Sequence, residues 1–128
     1  MGVQVPPWAP INNSMKHLGN HLIIDLWEAK NILDSKFITD VIIKCVEEVG
    51  AKLLKIDIHE FNNGGYTGVA LLAESHISIH TWPEYDNYMA IDIFVCNDLD
   101  PYKIIPILEK EFQTNNYKVT EIKRGPVL

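Results

Sequence analysis

The sequence has few cysteines, no long apolar run and a shortage of basic residues, and each of these excludes a class of protein. The two cysteines, Cys45 and Cys96, are too few for a disulfide scaffold. No apolar run approaches the roughly 20 residues that a membrane-spanning helix needs. Lys and Arg number 11 against 17 Asp and Glu, and this net charge of −6 argues against nucleic acid as a partner. We therefore expect a cytoplasmic protein that binds neither membrane nor nucleic acid.

Length and composition predict one globular domain behind a short arm. Apolar residues make up 47% of the 128 residues and charged residues 22%, which is typical of globular proteins. Residues 1–14 contain three of the seven prolines, two adjacent asparagines and no Lys or Arg. We interpret them as a flexible N-terminal arm rather than a secretory signal. The domain itself is expected over residues 15–128.

Hydrophobic periodicity predicts the element order β-α-β-β-β-β-α-β. Apolar residues recur at helical spacing from Ile38 to Val49, with Asp34 or Ser35 as the N-cap and Gly50 as the end. A second helix is expected to open at Asp100-Pro101, where Pro106 either kinks it or moves its true start. Strands are expected over residues 21–28, 52–61, 66–73, 76–81, 88–96 and 117–123.

This order predicts an α+β fold, a two-layer α/β sandwich whose antiparallel or mixed sheet carries both helices on one face. We expect the strand over 21–28 to be buried. In the next strand we expect Leu54, Ile56 and Ile58 to form a buried face opposite polar residues. The sheet face without helices would be bare, and packing between two copies would cover it, so a homodimer is predicted.

The segment from Glu74 to Glu84, ESHISIHTWPE, carries more polar side chains than a structural strand needs. On a helix, His76 and His80 would share a face as metal ligands. The alternating pattern instead predicts a strand that separates them by about 13 Å, so we expect no metal. A serine hydrolase is disfavoured because the G-x-S-x-G motif is absent and no Asp stands out as a third partner. The alternative to a catalytic role is a small domain that is non-catalytic or binds a metal.

A third chemistry starts from the Glu74-Ser75 dipeptide. A serine hydroxyl held against the preceding carbonyl can attack it and convert the amide to an ester. Elimination of that ester and hydrolysis of the resulting dehydroalanine leave a pyruvoyl group. Such a ketone forms a Schiff base with a substrate amine and accepts the electrons of a leaving carboxylate.

The segments ESHISIHTWPE and YMAIDIFVC resemble the signature of the bacterial and archaeal S-adenosylmethionine decarboxylases, a pyruvoyl-dependent family that processes itself. MKHLGNHLIIDLWEA, HEFNNGGYTGVALLAESH and DPYKIIPILEKEF are similar to other parts of that family. The resemblance covers nearly all of the chain after the arm. It implies an α/β sandwich that forms a dimer with two active sites at or near the interface.

The resemblance implies a role for each matched residue. Ser75 is the pyruvoyl precursor and Glu74 the new carboxyl terminus, so cleavage gives a chain of residues 1–74 and a chain of residues 75–128. His80 takes the α-proton during elimination, and Thr67 supports processing where the family usually has serine. Cys96 returns a proton to the substrate after CO2 leaves.

The resemblance also implies the substrate, S-adenosylmethionine, and its product, the aminopropyl donor of spermidine synthesis. Phe61 matches a ring that stacks on adenine, and Glu84 matches a carboxylate that binds the ribose hydroxyls. The loop over residues 62–65 departs from the family pattern, and Asp86 or Asn87 is an additional residue. Related pyruvoyl enzymes of this fold act on ornithine or arginine, and Glu60 could accept a basic side chain. Decarboxylation of a basic amino acid is therefore the alternative.

Overall fold

The structure, a computed structural model, describes residues 16–127, so the arm predicted over residues 1–14 lies outside the described residues. The predicted element order is confirmed, with a 3-10 turn added before the second helix. The elements are β1 (Lys16–Leu26), α1 (Ser35–Val49), β2 (Leu53–Glu60), β3 (Tyr66–Leu72), β4 (Ser75–Trp82), β5 (Tyr88–Cys96), the 3-10 turn (Pro101–Ile104), α2 (Ile105–Glu111) and β6 (Tyr117–Val127).

The strands form one six-stranded sheet in the order β2-β3-β4-β5-β1-β6, and every neighbouring pair is antiparallel. The buried side chains of α1 and α2 belong to the same core cluster as alternate residues of the central strands. Ile91, Ile93 and Val95 of β5 are examples, each at most 4% exposed. Burial of one such side chain is worth about 1.5–3 kcal/mol. This two-layer arrangement confirms the predicted α+β sandwich.

The ends of the helices follow the local signals in the sequence. The Asp34 carboxylate accepts hydrogen bonds from the backbone N–H groups of Lys36 and Phe37, and Gly50 ends α1 at φ 84°. Pro106 lies in the first turn of α2, where its missing N–H costs no hydrogen bond. Of the two predicted outcomes, a kink or a later start of the helix, the structure shows the later start.

Three details of the predicted strands are wrong. β1 begins at Lys16 and is buried on one face only, since Ile23 is 40% exposed. Leu54 is 60% exposed because the register shifts at this point of β2 and leaves it outside the alternation. β6 continues to Val127, four residues past the predicted end at residue 123, and Gly125 adopts φ 71° within this extension.

The second face of the sheet, called here the open face, carries most of the polar residues discussed below. It presents alternate residues of β3, β4, β5 and β1, and their exposure is intermediate or high. Within residues 16–127, neither helix has the length and apolar character that crossing a membrane demands.

Candidate active site

The Glu74-Ser75 bond lies in the tight turn that joins β3 to β4. Leu72 pairs with Ser75 across these strands, which leaves only Ala73 and Glu74 in the turn. Ser75 has φ 150°, a backbone conformation that L-residues rarely adopt. The other non-glycine residues with positive φ in the described part of the chain lie between 50° and 65°, in the ordinary left-handed region. Ser75 therefore lies outside the left-handed region that the other residues occupy, and its backbone conformation costs about 1–3 kcal/mol.

The loop before β2 holds this turn in place. The Ala73 N–H donates to the Lys52 carbonyl at 2.9 Å, and the Lys52 N–H donates to Glu74 Oε1 at 2.9 Å. The first bond joins two backbone groups, and the second joins a backbone N–H to a side chain. Both connect Lys52 to the turn. The position of Glu74 is thus fixed on the side of the bond that would become a carboxyl terminus.

A hydrogen-bonded chain leads from Ser75 into the open face. Ser75 Oγ lies 3.3 Å from His76 Nδ1, and His76 Nε2 lies 3.0 Å from Asp92 Oδ2. His21 Nε2 is 2.5 Å from the same carboxylate oxygen, and the Ser78 hydroxyl donates to its other oxygen. Antiparallel pairing makes this possible, because His76 is opposite Phe94 and Ser78 is opposite Asp92.

The Asp92 carboxylate is the centre of this group. Partial burial pushes the pKa of Asp92 up, but hydrogen bonds from Ser78, His21 and His76 outweigh it and hold that pKa below its ordinary value. An ionised Asp92 accepts from both imidazoles, so each must carry its proton on Nε2. For His21, Arg124 donates to Nδ1 at 3.1 Å and reinforces the same tautomer.

The donor atoms of His21, His76 and Asp92 lie within 4.8 Å of one another and could hold a metal ion. The hydrogen bonds already occupy these atoms, and the guanidinium of Arg124 beside His21 repels a cation. The pair considered from the sequence, His76 and His80, lies on a strand as expected. The predicted absence of a metal stays a prediction.

The two cysteines have contrasting surroundings. Cys45 is 2% exposed in the core, and burial raises the pKa of its thiol to about 12, which makes it unreactive. Cys96 ends β5 on the open face and has intermediate exposure. Val95 pairs with Ser75, so Cys96 is one residue further along the strand that lies beside the Glu74–Ser75 bond.

His80 and Thr67 lie at the opposite end of β4 from Ser75. Thr67 pairs with His80 across β3 and β4, and Thr67 Oγ1 is hydrogen-bonded to His80 Nδ1. Five residues of an extended strand, about 16 Å, separate His80 from Ser75. The structure joins the two predicted processing residues to each other but does not bring them to Ser75 within one chain.

Phe61 and Glu84 lie at this same far end, on two loops that contact each other. Asn63 Nδ2 donates to Glu84 at 2.9 Å and links the loop after β2 to the loop after β4. Phe61 is 49% exposed, and its ring lies edge-to-face against His59 at 4.7 Å between centroids. Both side chains are open to a ligand, although the described contacts do not include a direct one between them.

A cleft of about 610 Å³ opens beside Glu84. Its aromatic rings stack loosely, with centroids 5.7 Å apart for Trp27 and Tyr88 and 5.5 Å apart for Trp82 and Tyr88. Burial and a hydrogen bond to the Asp25 carboxylate raise the pKa of Tyr88 to about 12. Aromatic faces beside carboxylates suit a cationic ligand. The lining residues are Asp25, Trp27, Trp82, Glu84, Tyr85, Asp86 and Tyr88.

The additional residue noted between Glu84 and Cys96 is absorbed in the turn at this cleft. Asp86 and Asn87 adopt φ 53° and φ 50°, which these residue types tolerate better than most. Backbone N–H groups of Glu28 and Ala29 donate to their carbonyls. The departure from the family pattern therefore shapes one wall of the cleft.

Sequence reasoning missed His21 and Asp92 and gave His76 no role of its own. The signal for Asp92 is its place in YMAIDIFVC, since a lone carboxylate in an otherwise apolar strand needs a partner. Its partners come from β1 and β4, and only the register of the sheet reveals them. The expectation that no Asp stands out as a third partner for a Ser and a His is wrong, because Asp92 is hydrogen-bonded to His76.

Comparisons with known proteins agree with the resemblance. A family model described as S-adenosylmethionine decarboxylase matches residues 20–125. The S-adenosylmethionine decarboxylase proenzyme of Methanococcus maripaludis strain S2 is 43% identical over 114 residues, which cover 87% of this chain and 93% of the relative. The corresponding proenzyme of Methanococcus aeolicus is 44% identical over 121 residues, or 89% of this chain and 99% of the relative.

A solved structure is similar as well. The adenosylmethionine decarboxylase from Aquifex aeolicus VF5 superposes with a TM-score of 0.79 at 29% identity, covering 88% of this chain and 95% of that one. These matches confirm the resemblance seen in the sequence and the expectation of a decarboxylase proenzyme. The chain belongs to the S-adenosylmethionine decarboxylase family.

Proposed function

We propose that this chain cleaves itself between Glu74 and Ser75, gains a pyruvoyl group at position 75 and decarboxylates S-adenosylmethionine to the aminopropyl donor of spermidine synthesis. The observation that carries the proposal is the strained φ of 150° at Ser75, in the turn where the family resemblance puts the cleavage bond. Cleavage removes the Ser75 amide and with it the strain. The processed protein would consist of two chains, residues 1–74 and residues 75–128, which together form the single domain that starts at residue 15 and the arm before it.

The residues near the turn fit a pyruvoyl group. The Ser75 hydroxyl is hydrogen-bonded rather than packed in the core, and Glu74 is held through its own side chain. Once formed, the group supplies a ketone that binds the substrate amine and accepts electrons as CO2 leaves. Cys96, beside this position, holds the proton that the substrate α-carbon takes up afterwards.

The far end of β4 supplies the substrate contacts. Phe61 offers an exposed ring for adenine, and Glu84 offers a carboxylate for two adjacent ribose hydroxyls. The acidic and aromatic cleft beside Glu84 attracts the sulfonium. Glu60, considered as a partner for a basic amino acid, is exposed and accepts a hydrogen bond from the Tyr66 hydroxyl at 3.2 Å on one of its two oxygens. Ornithine and arginine therefore stay the alternative substrates.

A homodimer completes the site. His80 and Thr67 are about 16 Å from Ser75 of the same chain, so elimination at Ser75 needs these groups from elsewhere. The open face also carries apolar side chains without cover, Ile23 at 40% and Leu71 at 46% exposure. Two copies packed through this face by a two-fold axis would cover these residues and bring each end of β4 to the opposite end in the partner. A cytoplasmic location completes the proposal.

Purified protein tests this function. Mass spectrometry should find two fragments covering residues 1–74 and 75–128, with a blocked amino terminus on the second, and Ser75→Ala should stay intact. CO2 release should then be measured with S-adenosylmethionine, ornithine, arginine and lysine in parallel. CO2 release from a basic amino acid, with none from S-adenosylmethionine, would overturn the substrate assignment. A wild-type chain that stays whole would overturn self-processing.

A further inference from the structure

His76 and Asp92 form a relay that ends on the Ser75 hydroxyl. Asp92 Oδ2 accepts from His76 Nε2 at 3.0 Å, so the neutral imidazole of His76 has its lone pair on Nδ1, 3.3 Å from Ser75 Oγ. A base that is held by a carboxylate and faces a hydroxyl has the arrangement needed to activate a serine nucleophile. Unlike His80, this histidine reaches Ser75 within one chain.

The surroundings hold the relay in that tautomer. Asp92 is anchored by His21 at 2.5 Å and by the Ser78 hydroxyl, so the carboxylate cannot turn away from His76. The ring of Phe94 packs against both histidines, with centroids 5.2 Å from His21 and 6.1 Å from His76, and the two imidazoles also contact each other edge-to-face at 5.9 Å. The imidazole of His76 is therefore positioned by packing as well as by hydrogen bonds.

We propose that His76 is the general base for the first step of self-processing and that Asp92 is its positioning residue. The inference rests on the proposed function and concerns the acyl shift, whereas His80 belongs to the later elimination. His76 Nδ1 takes the proton from Ser75 Oγ as this oxygen bonds to the carbonyl carbon of Glu74. The carbon–nitrogen bond of the peptide then breaks, and the proton passes from His76 to the departing nitrogen. The product is an ester of Glu74 on Ser75 Oγ with a free Ser75 amine, and no atom is lost.

The two histidines should therefore stall processing at different points. His80→Ala should accumulate the ester, which hydroxylamine cuts between Glu74 and Ser75. Combining His80→Ala with His76→Gln should leave an intact chain that hydroxylamine does not cut. Glutamine keeps an N–H donor for Asp92 but offers no basic nitrogen to Ser75. General-base catalysis is worth about 10²- to 10⁴-fold, so ester formation should slow at least 100-fold.

The matched control combines His80→Ala with His17→Ala. His17 lies on β1 and is hydrogen-bonded to Asn20, and this double variant should form the ester as His80→Ala alone does. A second variant, His76→Ala on the same background, should recover ester formation when imidazole is added. Asp92→Asn should slow the ester without such recovery. Thermal unfolding of each variant identifies those that are folded.

The outcome that overturns the inference is a folded His76→Gln, His80→Ala chain that hydroxylamine cuts as fast as His80→Ala alone. Failure of the proposed function looks different. In that case the wild-type chain stays whole and hydroxylamine cuts none of the variants.

Discussion

Strand β4 begins at a strained turn and ends beside an open cleft, and its two ends have different partners. At the first end Ser75 follows the turn at φ 150°, and the histidines and Asp92 form a half-buried network. At the second end Phe61 and Glu84 are exposed, and carboxylates and aromatic rings line a cleft of about 610 Å³. The proposed function assigns self-cleavage to the first end and substrate binding to the second.

The largest expected effect is that of Ser75→Ala, at the first end of β4. Ser75→Ala removes the hydroxyl that we propose attacks the Glu74 carbonyl, so both self-cleavage and CO2 release should be lost. Ser35→Ala, at the exposed start of α1, is the matched control and should cleave normally. Gel electrophoresis and mass spectrometry measure the cleavage. A Ser75→Ala chain that still yields two fragments would place the cleavage bond elsewhere.

Cys96 separates processing from turnover at the same end. Because its proposed proton transfer follows decarboxylation, Cys96→Ala should still self-cleave but lose about 10²- to 10⁴-fold in CO2 release. Cys45→Ala is the matched control, since this thiol is buried in the core and should affect the free energy of unfolding rather than kcat. Wild-type kcat in Cys96→Ala would return this cysteine to a structural role.

Phe61 tests the second end alone. Phe61→Ala should leave self-cleavage intact and raise KM for S-adenosylmethionine by roughly one to two decades, since aromatic stacking on a base is worth about 1–3 kcal/mol. Leu54→Ala replaces another exposed apolar residue, on β2, and is the control that should leave KM unchanged. Steady-state kinetics decide this, and an unchanged KM in Phe61→Ala would remove the ring from the binding site.

The smallest effect concerns stability in acid. The pKa of Asp92 in the fold is below its ordinary value of 3.8, so its hydrogen bonds stabilise the fold above that pH. This stabilisation is lost as the pH falls through the lowered pKa. In a Ser75→Ala background, Asp92→Asn should reduce the free energy of unfolding at pH 6 more than at pH 3. The exposed Asp57→Asn is the control, and an equal loss at both pH values for Asp92→Asn would contradict the account.

Features that depend on local signals could be predicted from the sequence, whereas features that depend on strand register could not. The helix caps at Asp34 and Gly50 are local and are confirmed, while the roles of Phe61, Glu84 and Thr67 came from the family resemblance and stay predictions. The relay needs Asp92 from β5 beside His76 from β4, a contact that depends on strand register.

The strand ends were missed for the same reason. β1 extends to Lys16 because it pairs with a β6 that continues to Val127, and neither segment alone indicates this. Leu54 was misplaced because a register shift in β2 interrupts an alternation that looked regular in the sequence.

The most direct test of the account is whether one chain can complete the cleavage of another. Ser75→Ala chains keep His80 but lack the hydroxyl that attacks Glu74. His80→Ala chains keep Ser75 but lack the base that takes its α-proton during elimination. Each variant alone should fail to yield a pyruvoyl fragment. When the two are expressed together, the His80→Ala chains should be cleaved into residues 1–74 and 75–128, because His80 of the second copy reaches their Ser75. Mass spectrometry distinguishes the chains by their substitutions. Full cleavage of His80→Ala chains on their own, or none in the mixture of folded chains, would contradict the account.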